Sequence, residues 1–168
     1  MPKGSSRYER AKLAHALAYF ALHTEGLRPQ KACLLLYLLD FEHFAQTGLN
    51  VTGLSYIANP TGPVPTFGTD ALELDARIIE GFFPHFVDTD GFTRRELSIM
   101  QDIARTYRTL NDQPKVETPD IANGAWAKIW DSGKGHGAPI PYELGIAEHD
   151  PRRTAALDTA EEYSHYIM

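Results

Sequence analysis

A single cysteine, Cys33, in 168 residues leaves no partner for an internal disulfide, so packing alone must hold the fold, a composition that suits a reducing cytoplasm. No uninterrupted apolar run reaches the ~20 residues needed to span a bilayer. An excess of cations is also missing, with 16 Lys and Arg against 22 Asp and Glu and a formal net charge of −6. That balance counts against a protein that coats nucleic acid, whose affinity comes mainly from neutralising phosphates, and it accommodates a basic protein partner more easily. The seven histidines, at positions 15, 23, 43, 85, 136, 149 and 165, form no H-E-x-x-H, and no cysteine pair exists, so no zinc motif is present and no cofactor is implied. Internal repeats and low-complexity linkers are absent as well. What is there fits one domain, residues 1–168, and a chain of about 150 residues buries close to 70% of its unfolded surface.

The chain opens with Lys3, Arg7, Arg10 and Lys12 before an alanine-rich stretch, a superficial likeness to a secretory signal. His15 interrupts the apolar run, Glu9 sits in the basic part, and His23-Thr24-Glu25 stands where a small-residue cleavage site would be. Leu13, Leu17 and Phe20 instead mark the stripe of an amphipathic helix that Gly26 ends, and Pro29 opens the next one. These two helices are expected to pack as a short-looped antiparallel pair.

Residues 31–66 organise the rest. Every position from 32 to 39 is apolar, so a helix there must be covered on all sides. The run stops at Asp40, Glu42 and His43; after Gly48 comes a β-like run over 52–58, and Gly62-Pro63-Val64-Pro65 reads as a fixed elbow that excludes regular structure until after Pro65. A helix is expected over 65–81. Asp88-Thr89-Asp90-Gly91 favours a tight turn, and a strand near 84–92 is expected to pair with the strand near 52–58. Thr93 with Glu96 is a capping box, followed by the stripe Leu97, Met100, Ile103, Ala104 and Tyr107. Thr118-Pro119 opens a helix through Trp126 and Trp130, and Ser132-Gly133 ends it before a loop over 132–141. Asp150-Pro151 begins a final helix over 150–168, with Ala156, Ala160, Tyr163 and Ile167 on the packed face. The fold class is therefore mainly α, a single compact multi-helix domain with a small antiparallel β element.

Asp40-Phe41-Glu42-His43-Phe44, Thr47-Gly48, Val51-Thr52-Gly53, Tyr56-Ile57-Ala58 and Gly62-Pro63-Val64-Pro65 together resemble the signature of the Panacea family, the SocA-like antitoxin domain found beside toxin genes and in prophages. Fainter likeness runs through Thr93-Arg94-Arg95-Glu96-Leu97, Ala125-Trp126 and Ile140-Pro141-Tyr142-Glu143, so that it covers roughly 13–148. The chain departs from the family at Ile121-Ala122-Asn123-Gly124, where members often carry a histidine, and at Asn59-Pro60-Thr61. No role of that histidine carries over. The resemblance implies an antitoxin that neutralises a cognate toxin by direct complex formation, with a variation in which the antitoxin presents its toxin to a cytoplasmic protease.

The chemical candidates are few. Asp40 and His43, three apart on a helix with Glu42 nearby, have the spacing of two ligands or an acid–base pair, as a metal-dependent hydrolase would need. A helix leaving the core also ends naturally in such groups, and that reading ties it to the Tyr56 strand and the elbow. Gly133-Lys134-Gly135-His136-Gly137-Ala138 satisfies G-x-G-x-x-A but follows a helix and runs into Pro139 and Pro141, the wrong context for a pyrophosphate cradle. Cys33 has no basic neighbour in sequence and reads as a buried, inert thiol. Trp126 and Trp130 serve either a core or an interface. Arg94, Arg95, Arg105 and Arg108 read as a solvated helix face, which leaves a DNA-binding autorepressor with little support. The expected partner-binding residues are Asp40, His43, Tyr56, Gly62, Pro63, Val64, Pro65 and Trp126, with the elbow and the Tyr56 strand edge as the surface.

Overall fold

The computed structural model describes residues 3–67, 70–71, 88–110 and 124–167. In chain order these form α1 (Lys3–His23), α2 (Pro29–Thr47), the strands β1 (Ser55–Asn59), β2 (Gly62–Phe67) and β3 (Asp70–Ala71), α3 (Arg94–Thr106), α4 (Ala125–Trp130) and α5 (Arg153–Ile167). Short 3-10 turns occupy Asp131–Gly133 and Tyr142–Gly145.

Helix α2 is the centre, as its composition demands. Pro29 stands at its first turn, and Gly48, at φ +82°, ends it in the left-handed region with its N–H on the Phe44 carbonyl at 2.7 Å. Between these ends Ala32, Leu34, Leu35, Leu36, Tyr37, Leu39, Phe41 and Phe44 are all buried, because α1, α3, β2 and α5 pack around it. Lys31 is also fully buried. Its Nζ donates to the Glu25 carbonyl at 2.7 Å and the Arg108 carbonyl at 3.1 Å, tying the α1–α2 loop and the end of α3 to the root of α2. Leu13, Leu17 and Phe20 of α1 face this core, on the expected stripe.

Helix α3 begins with the expected capping box: Thr93 Oγ1 accepts from Glu96 N at 3.0 Å, and Glu96 Oε1 accepts from Thr93 N at 2.7 Å. Ile99, Met100, Ile103 and Ala104 form its buried face. The other oxygen of Glu96 meets Lys12 Nζ of α1 at 2.7 Å. Glu96 is buried, so this pair is less screened than a surface one.

The β element corrects the expectation in three places. First, the partner of β1 is β2, in an antiparallel hairpin that matches Tyr56 with Pro65, Ile57 with Val64 and Ala58 with Pro63. Of the strand expected near 84–92, residues 84–87 lie outside the described residues, and 88–92 form a loop and turn. Second, Gly62-Pro63-Val64-Pro65 is strand, not an elbow. Tyr56 and Ala58 turn their backbone groups away from β2, toward residues 138–140, as the bonds Ile140 N to Tyr56 O (2.8 Å) and Ala58 N to Ala138 O (2.9 Å) show. Their register partners Pro65 and Pro63 therefore point away from β1, where a missing N–H costs no ladder bond. Third, the expected helix over 65–81 does not start there: residues 65–67 complete β2 and Asp70–Ala71 pairs with it, while 72–81 lie outside the described residues.

Residues 118–123 of the expected tryptophan helix lie outside the described residues, and α4 spans Ala125–Trp130. The regular part of α5 begins at Arg153, and Asp150 closes the turn that leads into it, its Oδ1 accepting from Arg152 N at 2.9 Å and its carbonyl from Arg153 N at 3.0 Å. Helix α5 then lies against α2 so closely that a β-carbon at Gly48 would collide with the Ala156 carbonyl. Ala156 is buried and Ala160 half-buried, but Tyr163 is 50% exposed, so the packed stripe ends at Ala160.

Candidate functional site

The last turns of α2 carry the expected residues, and the fold sends them apart. Asp40 has no exposed surface. Its Oδ1 accepts from Val51 N at 2.8 Å and Thr52 N at 2.9 Å, and its Oδ2 accepts from Thr52 Oγ1 at 2.5 Å and the Tyr56 hydroxyl at 2.6 Å. Thr52 Oγ1 in turn accepts from Leu54 N at 3.2 Å. One carboxylate thus holds two backbone donors of the loop that follows α2 and the first inward side chain of β1. Burial raises the Asp40 pKa above the usual carboxylate range, while the bonds from Thr52, Tyr56 and Val51 pull the other way.

Around this clamp lies an aromatic cluster. Tyr56 meets Tyr37 and Phe41 edge-on at 5.8 and 5.7 Å, and Tyr142 stacks on Phe41 at 4.4 Å and Phe44 at 5.1 Å. The Tyr142 hydroxyl donates to the Leu54 carbonyl at 2.5 Å, fastening the 3-10 turn Tyr142–Gly145 to the start of β1. Burial, and then the negative charge of Asp40, hold the Tyr56 and Tyr142 hydroxyls well above their ordinary pKa. A carboxylate with four donors and no exposed surface cannot reach a solvent-borne substrate, and a phenol held neutral cannot serve as a base.

Glu42 lies on the exposed side of α2, where its Oε1 accepts from Gln46 at 2.8 Å. His43 is nearly buried and its Nδ1 lies 2.6 Å from the Leu49 carbonyl. Asp40, Glu42 and His43 therefore take three separate sets of partners. Among the described residues no three His, Cys, Asp or Glu side chains are grouped to hold a metal ion. Cys33 is half-buried, and burial pushes its thiol up to about 12.

The remaining expected residues build the frame of the site. Gly62, Pro63 and Pro65 are buried, and Val64 is half-buried on the outward face beside Ile57. Trp126 is buried, its N–H donating to the Tyr37 hydroxyl at 3.1 Å and its Nε1 to the Asn59 carbonyl at 3.0 Å, which ties α4 to the hairpin turn. Trp130 stacks on it at 5.8 Å with the rings 11° apart. The glycine loop after α4 holds no pyrophosphate cradle: Gly137 N donates to the Ala58 carbonyl at 2.7 Å, and Ala138 and Ile140 continue along β1. The outer edge of β1, expected to be open for a partner strand, is occupied by the chain's own residues 137–140.

Sequence reasoning passed over Thr52, Tyr142 and Lys31. Thr52 and Tyr56, four apart behind a glycine-ended helix, carried a usable signal. For Lys31 the signal was a cation in the first turn of a helix, directly before its apolar run over 32–39.

The clamp, β1, β2 and α3 all fall within the part of the chain, residues 34–118, that matches the family model described as Antitoxin SocA-like, Panacea domain. The chain belongs to this family. No curated protein and no solved structure gives a significant match. The Panacea match contains Asp40, His43, Tyr56 and the Gly62-Pro63-Val64-Pro65 strand; Trp126, Tyr142 and α5 lie beyond it. Among the described residues no helix is long and apolar enough to cross a membrane.

Proposed function

We propose that this chain is a non-catalytic, protein-binding antitoxin domain, a single unit over residues 1–168 with α5 packed upon it, and that it neutralises a cognate toxin by direct complex formation. Family membership supports an antitoxin role, and the clamp supports binding over catalysis. The observation that carries the reading is the sealed state of Asp40: its oxygens accept four bonds that fix the loop after α2 and the hairpin, and it has no exposed surface for chemistry. Tyr56 is buried, so contact with a toxin falls to what the clamp holds in place, the loop 48–54 and the outward face of the hairpin at Ser55, Ile57 and Val64. A stable complex of this kind buries about 1,200–2,000 Å² in total.

Co-expression with the product of the adjacent gene tests this. The neighbour should arrest growth alone, be harmless with this chain, and co-purify with it. A neighbour that is harmless alone, together with no partner retained by the tagged chain from its host, refutes the proposal. Toxin half-life in the same cells separates the two modes: a lifetime shortened by the chain means presentation to a cytoplasmic protease, and an unchanged one means neutralisation by the complex itself.

A further inference from the structure

Beside the clamp, a cleft of about 660 Å³ opens between the end of α2, the loop 48–53, the start of α3 and α5. This lies within the roughly 300–1,000 Å³ of sites that take a drug-sized group. Its walls are mainly apolar, with Phe44, Val51 and Ala160 among them, and the half-exposed ring of Tyr163 stands at one side. Among the described residues the one carboxylate bordering it, Glu96, is already neutralised by Lys12 Nζ at 2.7 Å. The cleft therefore favours an occupant without charge.

His43 supplies the second observation. The residue lines the cleft yet is only 7% exposed. A carbonyl oxygen carries no proton, so the 2.6 Å contact with Leu49 places a ring hydrogen on Nδ1, and in the neutral ring Nε2 is then the acceptor. Among the described residues nothing bonds Nε2: the two contacts of the ring, with the Leu49 carbonyl and Thr47 Oγ1, are both at Nδ1. An occupant that suits this cleft has a neutral apolar body and one N–H or O–H donor, which is the description of an indole or a phenol.

Resting on the antitoxin reading, we propose that the cleft receives a tryptophan or tyrosine side chain of the toxin, its ring between Phe44 and Ala160 and its donor on His43 Nε2. Such amphipathic rings are the commonest anchors of protein interfaces. Part of the cleft lies outside the family-matched segment, since Ala160, Tyr163 and Ser164 belong to α5.

Ser164 is exposed at the rim, so Ser164→Trp fills the cleft without disturbing the core, and Ser164→Ala is its control. Calorimetric titration with the purified toxin should show Ser164→Trp weakening the complex by about tenfold or more and Ser164→Ala leaving it within about twofold, with all three proteins melting alike. N-acetyl-L-tryptophanamide should shift the His43 Nε2 resonance saturably, and its 1-methylindole analogue, which lacks the donor, should bind about tenfold more weakly. Unchanged toxin affinity in Ser164→Trp overturns the cleft assignment and leaves the antitoxin reading standing. Absence of any complex with the wild type sinks that reading, and the toxin assignment with it; saturable binding of the donor probe then reassigns the cleft to a free small aromatic molecule. No binding of either probe overturns the donor chemistry.

Discussion

Replacing Asp40 by alanine removes one acceptor from four donors at once. The N–H groups of Val51 and Thr52 cannot turn elsewhere, whereas the hydroxyls of Thr52 and Tyr56 can rotate. Each buried donor left without a partner costs about 1–3 kcal/mol, so the two backbone groups alone cost about 2–6 kcal/mol. Release of a buried carboxylate offsets part of this, and a net loss of about 2–4 kcal/mol is expected. Against a total stability of about 5–15 kcal/mol this is a large fraction. Tyr56→Phe removes one bond to a charged acceptor and should cost about 1.5–3 kcal/mol. Asp40→Asn lies between them: its oxygen can keep the two backbone donors while its amide faces the two hydroxyls, which can turn to accept. Urea unfolding followed by the fluorescence of Trp126 and Trp130 measures all three. An Asp40→Ala protein within about 1 kcal/mol of wild type would refute the clamp as the organiser of this region.

The same residue sets a pH dependence with a definite sign. Because burial lifts its pKa in the fold, the folded chain keeps a proton that the unfolded chain has released above about pH 3.9. Asp40's contribution is therefore fully present below that value, falls as pH rises toward the lifted pKa, and is constant beyond it. Asp40→Asn carries no such proton. On acidification from neutral pH toward about pH 4, the stability difference between the two proteins should move in favour of the wild type. Movement the other way would mean that the four hydrogen bonds outweigh burial.

Two further outcomes follow from single positions. Gly48→Ala places a β-carbon against the Ala156 carbonyl in a backbone at φ +82°, so it should cost at least the ~1–2 kcal/mol of a left-handed non-glycine residue, and faster amide exchange confined first to α5 would show which contact gave way. Cys33, with its thiol pushed up to about 12, should fail to react with a disulfide reagent at pH 8 until the chain is unfolded by urea; prompt labelling of the native protein would contradict its packing.

What was legible in the sequence was local or total. The Thr93–Glu96 box needs only four consecutive residues, and the full burial of α2 needs only that no polar face exist, so both could be read without the fold. The Gly62-Pro63-Val64-Pro65 strand could not. Two prolines in four residues argue against a ladder until one knows which edge their missing donors face, and that depends on residues 137–140 taking the outer side of β1. The glycine-rich stretch 133–138 misleads for the same reason, because its contribution is made by backbone atoms. Asp40 and His43 were visible as a pair, but a helix places side chains three apart on a shared side only to first approximation. Here the loop folds back over the end of α2 and offers donors to the aspartate and a carbonyl to the histidine.

That division of partners bears on how recognition and stability are coupled. Asp40 acts on the loop through the N–H groups of Val51 and Thr52, and His43 through the carbonyl of Leu49, so the backbone over 49–52 is held from both sides by one helix. Helix α5 touches the same region from outside, where Gly48 admits the Ala156 carbonyl. Changes on the exposed side of α5 can therefore reshape the cleft while the clamp stays intact, whereas changes to the clamp alter loop, hairpin and cleft together. A surface built this way can vary through α5 without loosening the core beneath it.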